Sequence, residues 1–133
     1  MKTLTIEFQY GTPQKFKENI VWKWQLWGTP QIERERIVFT NELGWKAVLL
    51  PQYEEKCANG GCEKICNNYV VHFLPPNGMR CDEKDIEDAI ENFIMNVLQE
   101  YKKDYYADFV WTVEERKDNK KDFLLQNNKL IIS

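Results

Sequence analysis

Polar and apolar residues alternate early in the chain. Leu4, Ile6 and Phe8 are separated by Thr5 and Glu7, a period of two that predicts a strand over 3–9. The same period places Ile20, Trp22, Trp24 and Leu26 on one face of a second strand over 18–27. Residues 32–40 read as a third. The turn Asn41–Gly44 then leads into Trp45–Leu50, a hairpin with glycine at the bulge position. Pro51 has no amide proton to donate, and it is expected to close that strand. Asn68–Leu74 is again rich in β-formers, and Pro75–Gly78 is a turn signal.

The period then lengthens. Ile86, Ala89, Ile90, Phe93, Ile94, Val97, Leu98 and Tyr101 form one apolar stripe at helical spacing, which predicts a helix over 83–104. Asp82 is a suitable N-cap with Asp85 three residues on, a variant of the capping box. Acids crowd the first turns, and Lys102 and Lys103 sit in the last, as the helix dipole favours. Strands are expected at Ala107–Glu114, Phe123–Gln126 and Lys129–Ile132, the last two pairing across Asn127-Asn128. The expected fold is α+β. One domain spans 1–133, with a mostly antiparallel, twisted sheet of six or seven strands and the 83–104 helix packed on one face.

An internal echo interrupts this order. Gly11-Thr-Pro-Gln-Lys-Phe-Lys-Glu-Asn-Ile-Val21 recurs as Gly28-Thr-Pro-Gln-Ile-Glu-Arg-Glu-Arg-Ile-Val38, with seven of eleven positions identical. Glycine frees the backbone, and proline fixes φ while pushing its predecessor extended. Each copy therefore reads as a strand end, a turn and a new strand. Two copies are too few for a solenoid.

Composition narrows the class. With 133 residues, 43% apolar and 29% charged, the chain can bury a core of its own. A net charge of −3 argues against a general binder of nucleic acid or anionic membrane. No apolar run approaches the roughly 20 residues of a membrane-spanning helix. The alternating start lacks the unbroken hydrophobic block of a secretion signal, so the expected location is cytoplasmic.

The densest chemistry is in the cysteines, all four between positions 57 and 81. Cys57, Cys62 and Cys66 have four and three residues between them, and a structural zinc site would need a fourth ligand from Cys81 or the single histidine, His72. If 66–74 is extended, Cys81 returns to the cluster only when that strand is short or bent. A tight hairpin at 75–78 would instead set Cys81 beside His72, just before a helix N-terminus where a thiol is activated. A Cys/His nucleophile then becomes conceivable, although His72 within Val-Val-His-Phe-Leu reads better as a packed or edge residue. The stretch Asn59-Gly-Gly-Cys62-Glu-Lys-Ile-Cys66, with Cys57 ahead of it, resembles the opening of an epidermal-growth-factor-type module over about ten residues. That resemblance implies Cys57–Cys66 and Cys62–Cys81 disulfides and carries no function with it. Zinc, disulfides and free thiols all stay open at this point.

Tryptophans 22, 24, 27, 45 and 111 offer a stacking platform, but Trp22 and Trp24 share their expected face with Ile20 and Leu26, as a core would. Trp27, beside the repeated turn, is the one expected to be exposed. Glu83, Glu87 and Glu91 line one helix face and could meet a basic partner, or simply face solvent. No phosphate loop or Ser/His/Asp set is visible. The expectation is a small non-enzymatic protein that binds another protein, of the inhibitor or immunity type. It would carry a loop at 57–81 held by zinc or disulfide. The alternatives are a structural component of a self-assembling particle such as a phage virion, and a thiol or zinc enzyme.

Overall fold

The computed structural model describes residues 2–8, 13–77, 79–105 and 109–115. Its elements run β1 (Lys2–Phe8), α1 (Pro13–Asn19), β2 (Gln31–Glu33), β3 (Arg36–Thr40), β4 (Lys46–Ala58), β5 (Gly61–Leu74), the long helix α2, and β6 (Phe109–Glu115). Helix α2 is continuous over 23 residues: Glu83–Phe93, a π-helical turn at Ile94–Leu98, then Gln99–Tyr105. The six strands form one sheet in the order β2-β3-β4-β5-β1-β6, and every neighbouring pair is antiparallel. The architecture is thus α+β, as the periodicities imply. The strands expected at 123–126 and 129–132 lie outside the described residues.

Strand alternation builds the core. Leu4 and Ile6 of β1, Ile37 and Phe39 of β3, Ala47 and Leu49 of β4, and Tyr69 and Val71 of β5 are all buried in one cluster. Register makes them share a face, since Leu4 lies opposite Val71, Val71 opposite Leu49, and Leu49 opposite Ile37. Helix α2 contributes Ala89, Ile90, Phe93, Val97, Leu98 and Tyr101 to the same cluster. Phe93 meets Phe39, Trp27 and Phe73 edge-on, with ring centroids 5.1, 5.2 and 5.7 Å away. The capping box forms as expected. Asp82 accepts from the Asp85 amide and Asp85 from the Asp82 amide, both at 3.0 Å. The π-turn has a local cause, because the Asn96 side-chain amide donates to the Asn92 carbonyl at 2.9 Å. That carbonyl is the one the Asn96 backbone would use in an uninterrupted α-helix, and the Gln99 amide reaches back five residues to Ile94 instead.

Four expectations fail, each for a physical reason. Residues 32–40, expected as one strand, fold back as the β2–β3 hairpin, which turns at Arg34 with φ 60°. Residues 18–27 are not a strand. Phe16, Ile20, Trp24 and Trp27 are the buried positions, with helical spacing rather than a period of two, while Trp22 is 63% exposed. α1 supplies Phe16, and a tight loop follows in which the Trp24 indole donates to the Ile20 carbonyl at 2.8 Å. Strand β4 does not stop at Pro51 but continues to Ala58. Strand β3 pairs with β4 only as far as Leu49, so Pro51 meets β5 on one side and has no ladder bond to give on the other. Finally, the stretch from Tyr53 to Cys66 is not a loop. It is paired throughout as the far end of the β4–β5 hairpin.

Candidate functional site

The β4–β5 hairpin outruns the sheet. Partners for β5 on β1 end at Asn68, and partners for β4 on β3 end at Leu49, yet β4 and β5 stay paired from Lys46–Leu74 out to Ala58–Gly61. Beyond the register shift at Gln52/Tyr53, six residue pairs form a two-stranded arm, about 20 Å long at strand rise. Residues 53–64 are all exposed. The arm turns on Asn59 and Gly60, whose φ values of 51° and 81° fit the two-residue hairpin turn that asparagine–glycine favours.

Beyond its base, where Cys66 touches the core cluster, no core holds this arm, and an isolated two-stranded ribbon is marginal in water. Three local devices hold it instead. Cys57 and Cys62 face each other across the turn and are joined by a disulfide. Glu55 lies opposite Lys64 and Lys56 opposite Glu63, so each cross-strand charge faces its opposite. At the base, the Glu35 carboxylate accepts from the Tyr53 hydroxyl and, together with burial, pushes its ionisation up to about 12. Burial likewise raises Tyr69 above the usual phenol range. Asn68 Oδ1, beside the bulge, is buried without a hydrogen-bond partner among the described residues.

The four cysteines therefore do not converge. Cys57 and Cys62 meet at the tip. Cys66 lies opposite Tyr53 near the base, half-buried, its thiol donating to the Asn68 carbonyl at 3.6 Å. Cys81 precedes α2 and packs against the core cluster. The Cys57–Cys66 and Cys62–Cys81 pairings implied by the growth-factor resemblance are replaced by Cys57–Cys62. A two-residue turn makes Cys57 and Cys62 direct cross-strand neighbours, while Cys66 is carried down the arm. Among the described residues, the one grouping of three metal-competent side chains is Glu55, Cys57 and Cys62, whose ligand atoms lie within 4.8 Å of one another.

Nor does the Cys81/His72 pair assemble. His72 is exposed and opposite Val48, on the sheet face away from Val71 and Phe73, whereas Cys81 packs on the core side. Burial raises the Cys66 thiol, which disfavours the thiolate a nucleophile needs. Among the tryptophans, Trp24, Trp27 and Trp45 are buried, Trp111 is half-buried, and only Trp22 is freely exposed, so no stacking platform forms. Trp27 is fully buried, contrary to expectation, and its indole donates to Asn92 Oδ1 at 3.0 Å. Of the helix glutamates, Glu87 pairs with Lys2 at 3.0 Å and Glu91 is exposed. The arm is the element that sequence reasoning missed. Its signal in the sequence is Asn59-Gly60 between two matched runs, masked by Pro51, which reads as a strand end, and by cysteines whose spacing also fits a loop.

No protein-family description, curated protein or solved structure matches the chain. Among the described residues, no helix is long and apolar enough to cross a membrane.

Proposed function

We propose that this is a non-enzymatic binding protein that works through protein–protein contacts, of the inhibitor or immunity type, and that the β4–β5 arm is what reaches the partner. One observation carries this reading: a stapled ribbon, exposed throughout residues 53–64, whose contact with the core is confined to Cys66 at its base. Such an extension has no evident structural use, and exposed elements on a rigid scaffold are where binding residues concentrate. In a reducing cytoplasm, the expected site of action, Cys57 and Cys62 would stand as thiols and could hold a zinc ion together with Glu55, leaving its fourth position to water or to a side chain of the partner. Outside it, the disulfide would do the same work.

The test replaces residues 54–65 with a bare Asn-Gly turn and compares the two proteins as affinity baits. The expected result is an unchanged melting midpoint and loss of a specific partner held by the parent chain. Identical captured sets, or catalytic turnover by the purified protein, would sink the proposal. The same arm favours a second reading, a subunit of a self-assembling particle whose arms clasp neighbouring copies. Sedimentation separates the two: a defined ring or higher oligomer that dissolves when the arm is removed supports assembly, and a monomer supports a foreign partner.

A further inference from the structure

A second surface, remote in sequence from the arm tip, has the chemistry of a receptor. Where the β3–β4 turn, the loop before α2 and the first turns of α2 meet, the structure holds a cleft of about 500 Å³. Leu26, Leu43 and Met79 wall it, exposed at 40, 77 and 42% respectively, and buried Trp45 and Ala89 also line it. The charges on its rim are Glu42, Asp85 and Asp88, and no lysine, arginine or histidine lines it. Large apolar side chains left in the open beside carboxylates that no lining cation neutralises, Asp85 being engaged at one oxygen by the Asp82 amide, are the reverse of ordinary surface design, where such patches mark binding sites.

The cleft is preformed. Asn41 Oδ1 accepts from the Leu43 and Trp45 amides at 3.0 and 2.9 Å, which fixes the β3–β4 turn. Gly44 adopts φ 93°, and a side chain there would press on Pro76 at 3.3 Å, so this turn and the loop before α2 are packed together. The Trp27–Asn92 hydrogen bond ties the loop bearing Leu26 to the helix. One turn further along α2, a second cleft of about 370 Å³ opens beside Trp22 and Tyr105, with Glu100 and Asp104 on its rim and Lys23 as its one lining cation. The π-turn lies between these acidic ends, and such turns recur at functional sites.

We infer that this band binds a basic, amphipathic segment of a partner protein. Its aliphatic anchor would sit between Leu43 and Met79, and its arginines or lysines would pair with Glu42, Asp85 and Asp88, then Glu100 and Asp104. The spread of the carboxylates selects a peptide over a small amine. Asp85 and Asp104 are about 28 Å apart along the helix, which an extended segment of roughly nine residues spans. The inference does not rest on the arm.

The test uses the full chain, labelled with nitrogen-15, and an amidated twelve-residue probe in which arginine and leucine alternate. Two control peptides carry glutamate for every arginine, or serine for every leucine. The arginine–leucine probe is expected to shift the amides of residues 42–45, 79 and 85–92. It should bind at least about tenfold tighter than either control and weaken about tenfold between roughly 0.05 and 0.5 M salt. Glu42→Lys with Asp88→Lys, and separately Leu43→Ser with Met79→Ser, should each cost about tenfold in affinity. All four side chains are exposed, and Glu42→Gln with Asp88→Asn serves as the milder charge test, with intermediate loss expected. No saturable binding at millimolar probe, shifts confined to the arm, indifference to the charge variants, or equal binding of free arginine would each overturn the inference.

Discussion

The body of the sheet and the arm are built from the same two strands and held by opposite means. Within the body, β4 presents Ala47 and Leu49 to a core packed with Phe39, Phe93 and Trp27, all three fully buried. Past Gln52 the same strand has no core at all, and its stability passes to a turn, a disulfide and facing charges. A strand is therefore not one energetic object. Burial supports one end cooperatively, and short-range chemistry supports the other locally.

The largest test of this contrast is Phe93→Ala. It empties the point where helix and sheet rings meet and should cost about 3–5 kcal/mol of global stability, read by urea unfolding. Cys57→Ser with Cys62→Ser comes next. Chain-entropy reasoning gives a loop this short about 2 kcal/mol, and the loss should fall on the arm. Hydrogen exchange is expected to quicken at residues 53–66 while the melting midpoint of the body barely moves. A large drop in that midpoint would show that arm and body unfold as one unit. Asp82→Ala asks whether the body too depends on local chemistry, and removing the cap should cost about 1 kcal/mol globally.

The smallest effect is a pH dependence at the arm's base. Tyr53 ordinarily ionises near 10 and is held up to about 12 in the folded protein, chiefly by its hydrogen bond to Glu35. The folded state therefore holds the proton more tightly. Its contribution is complete below about pH 10 and is lost as pH rises toward about 12. Since Tyr53 is 43% exposed, the amount is small. Ultraviolet titration should find Tyr53 among the late-ionising tyrosines, with Tyr69 and Tyr101, and its midpoint should fall in Glu35→Gln. An unchanged midpoint would remove this contact from the list of arm supports.

The same contrast explains what could be read from the sequence. Positions whose fate depends on burial were mostly legible, including the 86–101 stripe of α2, the alternation of β1 and the cap at Asp82. The echoed segments show where that reading stops. Pro13-Gln14 opens a helix, whereas Pro30-Gln31 leads into strand β2, although seven of eleven residues are shared between the two copies. The four that differ decide it. Phe16 is buried four residues before Ile20, a helical interval, and its counterpart Glu33 is exposed on a strand that turns at Arg34, with φ 60°. Ile20 and Ile37 are both fully buried, so the shared isoleucine finds the core by two routes. In the candidate site, four cysteines suggested one cluster. The hairpin register disperses them, and register is a tertiary fact that spacing does not contain.

Strand β1 sits between β5 and β6, so residues 2–8 are clasped on one side by 68–71 and on the other by 109–115. The β2–β5 meander needs only neighbours in sequence and can assemble as it leaves the ribosome. The earliest strand to emerge must instead wait through about a hundred residues of synthesis for its second partner, some five to twenty seconds at typical elongation rates. Until β5 emerges, a strand carrying Leu4, Ile6 and Phe8 has no partner in this sheet, and from then until β6 arrives one of its edges stands open. The step that completes the sheet closes the longest loop in the chain, and it is the natural place for folding to be slow.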